Sequence, residues 1–345
     1  MKILVVGDVH WSETSSIIRS MGEKHTMRLE NLVKSVNWAE NLSKIENCDR
    51  VVYLGDFFDK PEISCSEITV LADNINWNTN VRHDFVVGNH ESNTKDLSYS
   101  TSKILQLCNP LFKVIDKPEI ICEEGISLCY IPYLTEDIRE SFVNYVSGDT
   151  KIVFSHNDIK GIRYGAFESK EGFDLSEIEN NCDLFINGHL HNGSFLNLNT
   201  KGNVLNLGNL TGQNFTEDAQ NFAHSVCILD TDCKNLMFYE NPYAFNFYKF
   251  EINDETELTK LSDLKPNVVA TIKCPENLKE SVENNTSSFL ASRIIIERPT
   301  NESTSQDGLI SINNINHCEE FVKCAQNVLG KSEILDFELS KVIEG

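Results

Sequence analysis

Asp8 with His10, Asp56 with Asp59, the run Asn89-His90-Glu91, His156, and the pair His189 and His191 are the residues whose types and spacing could do chemistry. Carboxylate, amide and imidazole donors with no thiolate suit borderline divalent ions such as manganese, iron or zinc. Each group follows directly on a short apolar run that reads as a buried strand: Lys2–Gly7, Arg50–Leu54, Asp84–Val87, Lys151–Phe154 and Asp183–Ile186. The chain has nine histidines, and five of them (10, 90, 156, 189 and 191) stand in this position. A lone histidine there is more often a satisfied structural residue than a ligand. Five together are different, because scattered structural histidines have no reason to share one edge of a sheet. That edge, beyond the carboxyl ends of the strands, is where open α/β sheets place their ligands. Gly55 lets the chain turn sharply as its strand ends, and Asp56 beyond it could bridge two metal ions.

The elements that must position these residues can be read from pattern. A helix is expected from Thr26 to about Ile45, with Thr26 as N-cap and Leu29, Leu32, Val33 and Val36 as its apolar stripe. Another follows Ser66, to about Trp77. The strand–helix–strand alternation argues for βαβ units and a sheet with helices on its faces. Short strands are expected over Leu111–Ile115, Glu119–Cys122, Ile126–Ile131, Val204–Leu207, Ser225–Asp230 and Asn235–Glu240, and a helix over Thr135–Val146. They imply a second sheet packed on the first, a four-layer sandwich of the α/β (α+β) class. From Phe247 to Ile296 the order strand, helix, strand, helix, strand reads as a small α/β module. Pro299 to Asp307 is polar, and two amphipathic helices broken at Gly330 are expected over Asn316–Ile343.

Composition narrows the classes. At 345 residues the chain is long enough for one large core and a smaller module. No run approaches the roughly 18 apolar residues of a membrane span, and the first strand has too short an apolar core for a signal peptide, so a cytoplasmic protein is expected. The 11 cysteines are scattered with no C-x-x-C pair, which reads as reduced buried thiols. The net charge of −22 argues against a free-standing DNA binder, since phosphate neutralisation dominates such affinity. It argues less against a nuclease, because bound cations supply local positive charge and a partner can supply more. Arg19, Lys24 and Arg28, near the first loop, read either as solvated charges or as phosphate contacts.

The blocks Asp8-Val-His10, Gly55-Asp-Phe-Phe-Asp59, Gly88-Asn-His-Glu91, Ser155-His156 and Gly188-His-Leu-His191, in that order, resemble the calcineurin-like metallophosphoesterase superfamily. The resemblance implies a metallophosphoesterase β-sandwich flanked by helices and two divalent metal ions, Mn2+ being the expected metal. It implies that Asp8, His10, Asp56 and His191 hold one ion, and Asp56, Asn89, His156 and His189 the other. Hydroxide activated between the metals would attack phosphorus in line. His90 is then the catalytic acid for the leaving oxygen, or a stabiliser of the transition state, unless it only orients Asn89. Asp59 and Glu91 are expected behind the ligands, Glu91 replacing the superfamily's usual Asp.

Within that superfamily the chain looks like the SbcD-type DNA repair nucleases, closest in layout to bacteriophage recombination endonuclease subunits. Gly55-Asp-Phe-Phe-Asp59, Ile131-Pro-Tyr133 and the block from Asn206 to Asp218 carry this likeness, with Asn206 and Asn209 departing from the usual residues and Trp11-Ser12 replacing a common Leu-Gly. It implies a nuclease domain over residues 1–242, a capping domain over 243–298, a linker over 299–315 and helices over 316–345 that dock an SMC-like ABC ATPase subunit of SbcC type. DNA exonuclease or endonuclease activity in double-strand break repair and recombination, and a homodimer, are further implications. The alternative is a small-molecule or phosphoprotein metallophosphoesterase, and a third reading is a scaffold with a dead site.

Overall fold

Consecutive apolar residues in β1 (Lys2–Val6) and β2 (Arg50–Tyr53) are buried on both faces, which places the strands between two layers. Ile3, Val5, Val52 and Leu54 face one core, and Leu4, Val6, Val51 and Tyr53 face another. β3 (Arg82–Val86) and β4 (Phe112–Ile115) continue the sheet in parallel beyond β2, while β15 (Ser225–Asp230) and β16 (Asn235–Glu240) extend it antiparallel on the other side of β1. The second sheet has the same plan. β6 (Ile126–Ile131), β7 (Thr150–Ser155), β12 (Leu184–Asn187) and β14 (Asn203–Asn206) run parallel, with β5 (Glu119–Glu123) and β13 (Ser194–Asn197) as antiparallel edges.

The two sheets close on each other through Ile3, Val5, Val52 and Leu54 from one side and Leu128, Tyr130, Phe154 and Ile186 from the other. The outer face of the first sheet is covered by α1 (Met27–Ile45) and α2 (Cys65–Asn74) through Leu29, Leu32, Val36, Val70 and Leu71. The outer face of the second is covered by Phe142, Phe173 and Ile178, the last from α4 (Leu175–Asn181). The four-layer α/β sandwich is therefore observed. The computed structural model describes residues 1–297 apart from 124, 148–149, 165–166, 198–202, 218 and 234.

Both long helices begin where their caps dictate. The Thr26 hydroxyl accepts from the Leu29 amide, and Ser64 and Glu67 form a reciprocal capping box. The helix expected over Thr135–Val146 is instead a turn followed by a 3-10 segment, Phe142–Asn144. Only one side chain there, Phe142, is fully buried, so the stretch has no continuous apolar stripe to hold a longer helix down. A short α3 (Lys103–Cys108) precedes β4. Two-residue pairings add β8 (Ile159–Lys160) to β11 (Phe173–Asp174) and β9 (Arg163–Tyr164) to β10 (Phe167–Glu168).

A third sheet, all parallel, is made by β17 (Asn246–Glu251), β18 (Val268–Pro275) and β19 (Ala291–Glu297). It has its own core, Tyr248, Phe250, Ile252, Ala270 and Ile272, closed by Leu261, Leu278 and Val282, the last from α5 (Lys279–Asn285). Residues 1–297 form one compact unit. The linker and helices expected over 299–345 lie outside the described residues. Among the described residues, the cysteines that form no disulfide are Cys48, Cys129, Cys182, Cys227 and Cys274, which are buried, and Cys65, Cys122 and Cys233, which are exposed. The exposed three differ from the sequence expectation.

Candidate metal centre

Parallel strands from both sheets end at one place, and the chemistry-bearing residues lie just past those ends. Asp8 and His10 follow β1, Asp56 follows β2, Asn89 and His90 follow β3, His156 follows β7, and His189 and His191 follow β12. Backbone hydrogen bonds tie the turns together. The amides of Val9 and His10 both donate to the Asp56 carbonyl, at 3.1 and 2.8 Å, and Gly188 donates to the Ser155 carbonyl at 2.9 Å. The turns are tight enough to need unusual backbone. His10, Asp56 and His189 have φ of 52°, 44° and 72°, a left-handed conformation that side-chain-bearing residues seldom adopt. Gly55, at φ 104°, lies so close to His156 that a Cβ would fall 2.3 Å from its Nδ1.

The result is three overlapping clusters. Asp8, His10 and His191 form one, Asp56, His156 and His189 a second, and His10, Asp56 and His90 a third, each with donor atoms within 4.8 Å of one another. Asp56 belongs to two of them, and its Oδ2 lies 3.1 Å from His156 Nε2. Asn89 Oδ1 lies 3.1 Å from His156 Nε2 and 3.0 Å from His189 Nδ1, which puts it in the second cluster. All eight residues named from sequence as ligands or acid thus converge.

These residues fit a pair of metal ions. Both ring nitrogens of His10 are buried without a hydrogen-bond partner, although Asp59 Oδ1 sits 3.1 Å from Nδ1. Each of the other imidazoles presents one nitrogen to the cluster while an oxygen lies behind the other. The Leu54 carbonyl is 2.7 Å from His156 Nδ1, Asp158 is 3.4 Å from His189 Nε2, and Glu217 is 3.3 Å from His191 Nδ1. Oxygen behind imidazole is how metal-binding histidines are oriented and made more basic. Carboxylates and imidazoles set each other's titration. Burial would raise the Asp56 carboxyl, but His156, His10 and His90 hold it well below the usual carboxylate range. Burial would lower His156, but Asp56 and Asp8 push it up to about 9. A divalent cation would take the place of those imidazolium charges beside the two carboxylates.

Asp59 and Glu91 lie behind the cluster, as expected. Asp59 backs His10, and its carbonyl oxygen is 3.0 Å from His90 Nδ1. Glu91 is fully buried and takes hydrogen bonds from the Phe58 amide (3.1 Å), the Gly88 amide (2.8 Å) and the Ser102 hydroxyl. Burial, then the neighbouring Asp56 charge, raises its pKa to about 7. His90 is exposed, its Nδ1 turned to the Asp59 carbonyl and its ring 4.9 Å from that of His10.

Three residues escaped sequence reasoning. Asp158 stands two residues after His156, a spacing that could have suggested it. Glu217 lies in a loop with no periodic signal. Arg28 is buried, donating to the Gly212 carbonyl at 3.0 Å and the His10 carbonyl at 3.4 Å, which corrects its reading as a solvated charge, and it also lines a cleft with Asp59 and Asn214. Arg19 fits that reading better, exposed and bonded only to the Ser16 carbonyl.

Comparison with solved structures finds a dimetal phosphatase from Danio rerio at 12% identity, covering 66% of this chain and 91% of that one with a TM-score of 0.40. A hypothetical protein from Thermus thermophilus is 11% identical, covering 70% and 100% with a TM-score of 0.39. A protein of unknown function from Aquifex aeolicus is 16% identical, covering 61% and 90% with a TM-score of 0.29. No curated protein matches the chain. Over residues 1–193 the sequence matches the family described as calcineurin-like phosphoesterase, and the chain belongs to that family of dinuclear-metal phosphoester hydrolases.

Proposed function

We propose that the chain is the nuclease subunit of a DNA recombination and repair complex, hydrolysing phosphodiester bonds. The observation that carries this reading is the shape around the clusters. A cleft of about 440 Å³ lined by Thr14, Ser15, Ser16, Arg28, Asp59 and Asn214 opens at Asp59, the acid behind His10. Another of about 210 Å³, containing Asn89, Ser92, Thr94, Lys95 and Tyr133, opens on the second cluster. Room on both sides of a scissile phosphorus suits a diester carrying two large alcohols. The first lining is mainly polar, and the second adds Leu97, Tyr133 and Ile138 to its polar groups, which suits a phosphate carrying flat, partly apolar bases. The SbcD-like blocks Gly55–Asp59 and Ile131–Tyr133 support the same choice.

Two divalent ions, manganese by expectation, would be held by Asp8, His10, Asp56 and His191 and by Asp56, Asn89, His156 and His189, supplying Lewis acidity and an activated water. The chain's own groups do the rest. Asp56 stays ionised in the centre and its Oδ1 accepts the His90 amide at 2.9 Å, fixing that residue's backbone. With Nδ1 donating to the Asp59 carbonyl, His90 turns Nε2 to the open side, where its imidazolium form can give the Nε2 proton to a leaving oxygen and keep the Nδ1 proton. Glu91 locks the turn that carries both Asn89 and His90.

The net charge of −22 favours a second reading, hydrolysis of a smaller phosphoester that needs no basic groove. Under the first reading a partner supplies the cations. That partner is an SMC-like ATPase docked through residues 316–345, and the assembly is a dimer. Incubation of the full chain with linear and circular DNA and manganese, with and without the co-expressed ATPase, tests the choice. Cleavage is expected with the ATPase present, and much less without it. Hydrolysis of a chromogenic phosphodiester that duplex DNA fails to inhibit, with no DNA cut, would favour the second reading.

A further inference from the structure

Behind the first cluster sits a charge arrangement that the second lacks. Both imidazoles of the first cluster are backed by carboxylates: Asp59 at 3.1 Å from His10 Nδ1 and Glu217 at 3.3 Å from His191 Nδ1. Between them lies one buried cation, Arg28, whose guanidinium feels both acids. The second cluster has a neutral carbonyl behind His156 and a single carboxylate, Asp158, at 3.4 Å from His189 Nε2, with Arg139 acting on that acid.

Glu217 is built in firmly. Its side chain is buried, Oε1 accepts from Asn209 Nδ2 at 3.0 Å, and the Gln213 amide donates to the carboxylate at 3.0–3.1 Å. His224 lies on its other side, Nε2 at 3.7 Å from Oε2 and without a hydrogen-bond partner. Gly212 packs closely here, since a Cβ there would fall 2.4 Å from the Phe245 carbonyl oxygen and 3.0 Å from Oε2. A buried carboxylate with this many donors is expensive to keep unless its charge acts on something. The group it reaches is His191, whose Nδ1 lies 3.3 Å from Oε1.

We infer that Glu217, held by Asn209 and the Gln213 amide and balanced by Arg28, is a positioning residue that sets the affinity of the first metal site alone. It fixes His191 with Nδ1–H toward the carboxylate, so that Nε2 faces Asp8 and His10. Arg28 completes the arrangement by holding the His10 and Gly212 carbonyls together. The inference rests on the metal-binding reading of the site and is independent of the substrate.

The test is titration of metal-free full-length chain with manganese alone, followed by calorimetry, in two backgrounds. His156→Ala disables the second site and leaves the first to report. His10→Ala disables the first and leaves the second. Glu217→Gln removes the charge and keeps the shape, and Glu217→Ala removes both. In the His156→Ala background each substitution should weaken manganese about 10- to 100-fold. In the His10→Ala background affinity should be unchanged. An equal loss in both backgrounds, as a folding defect would give, overturns the inference, and so does no loss in the first. Because the readout is binding, failure of the nuclease reading would leave these results standing.

Discussion

At the scale of single residues, sharing and reach separate the ligands from the acid. Asp56 belongs to two clusters, so Asp56→Asn removes the central charge from both. Metal analysis of that variant should show both ions lost or weakened at least 10-fold. His90 is exposed and tied by Nδ1 to a carbonyl, so His90→Ala should keep its metal while hydrolysis falls by roughly 10²–10⁴. Full activity in that variant would remove His90 from the mechanism. Glu91 gives a pH signature. Its pKa rises on folding from 4.5 to about 7, so the folded chain holds a proton there that the unfolded chain releases. The stability from this group is present below about pH 4.5 and is lost as pH rises to about 7, on the order of 3 kcal/mol in all. Chemical denaturation of metal-free protein at pH 5 and pH 7.5 should show wild type losing stability relative to Glu91→Gln. A constant difference would mean that Glu91 titrates normally.

At the scale of elements, the ligands were legible because strands and motifs coincide. Each apolar run ends in a turn, and β1, β2, β3, β7 and β12 all deliver their polar residues to the same edge. The caps at Thr26 and Ser64 were legible for the same reason, since a local hydrogen bond fixes them. Glu217 and Arg28 were not, because their role exists only when a loop and a helix meet 189 positions apart in sequence. The expected helix at Thr135 failed for want of a continuous buried stripe. The turn after β2 shows how narrow the tolerance is. Gly55→Ala puts a Cβ 2.3 Å from the His156 ring at a φ of 104° that alanine resists. His156 would have to leave the Leu54 carbonyl. A stability loss of roughly 2–4 kcal/mol is expected, with weaker metal binding at the second cluster. Unfolding curves at wild-type midpoint would show that the turn relaxes more freely than its geometry implies.

At the scale of the whole molecule, charge and activity pull in opposite directions. An acidic chain carrying −22 repels the polyanion it is proposed to cut, and two divalent ions offset only a small part of that. If DNA is the substrate, attraction must come from another chain. The amphipathic stretch 316–345 is the proposed dock, with Phe321, Val328 and Leu329 in its first half and Leu335, Phe337 and Leu339 in its second. Among the described residues no helix is long and apolar enough to cross a membrane, so none of those elements offers a membrane span as a competing attachment. Removing residues 316–345 should leave metal content and hydrolysis of a small chromogenic diester unchanged, since every cluster residue lies before residue 192. Co-purification with the ATPase should be lost, and DNA cleavage should fall with it. At raised salt, cleavage by the complex should decline steeply, because the partner's phosphate contacts carry the binding. If the truncated chain still pulls down the ATPase and cuts DNA as well as the full chain, the dock lies elsewhere. If the intact chain cuts DNA alone with little salt dependence, the acidic surface is no obstacle and the partner is not the source of affinity.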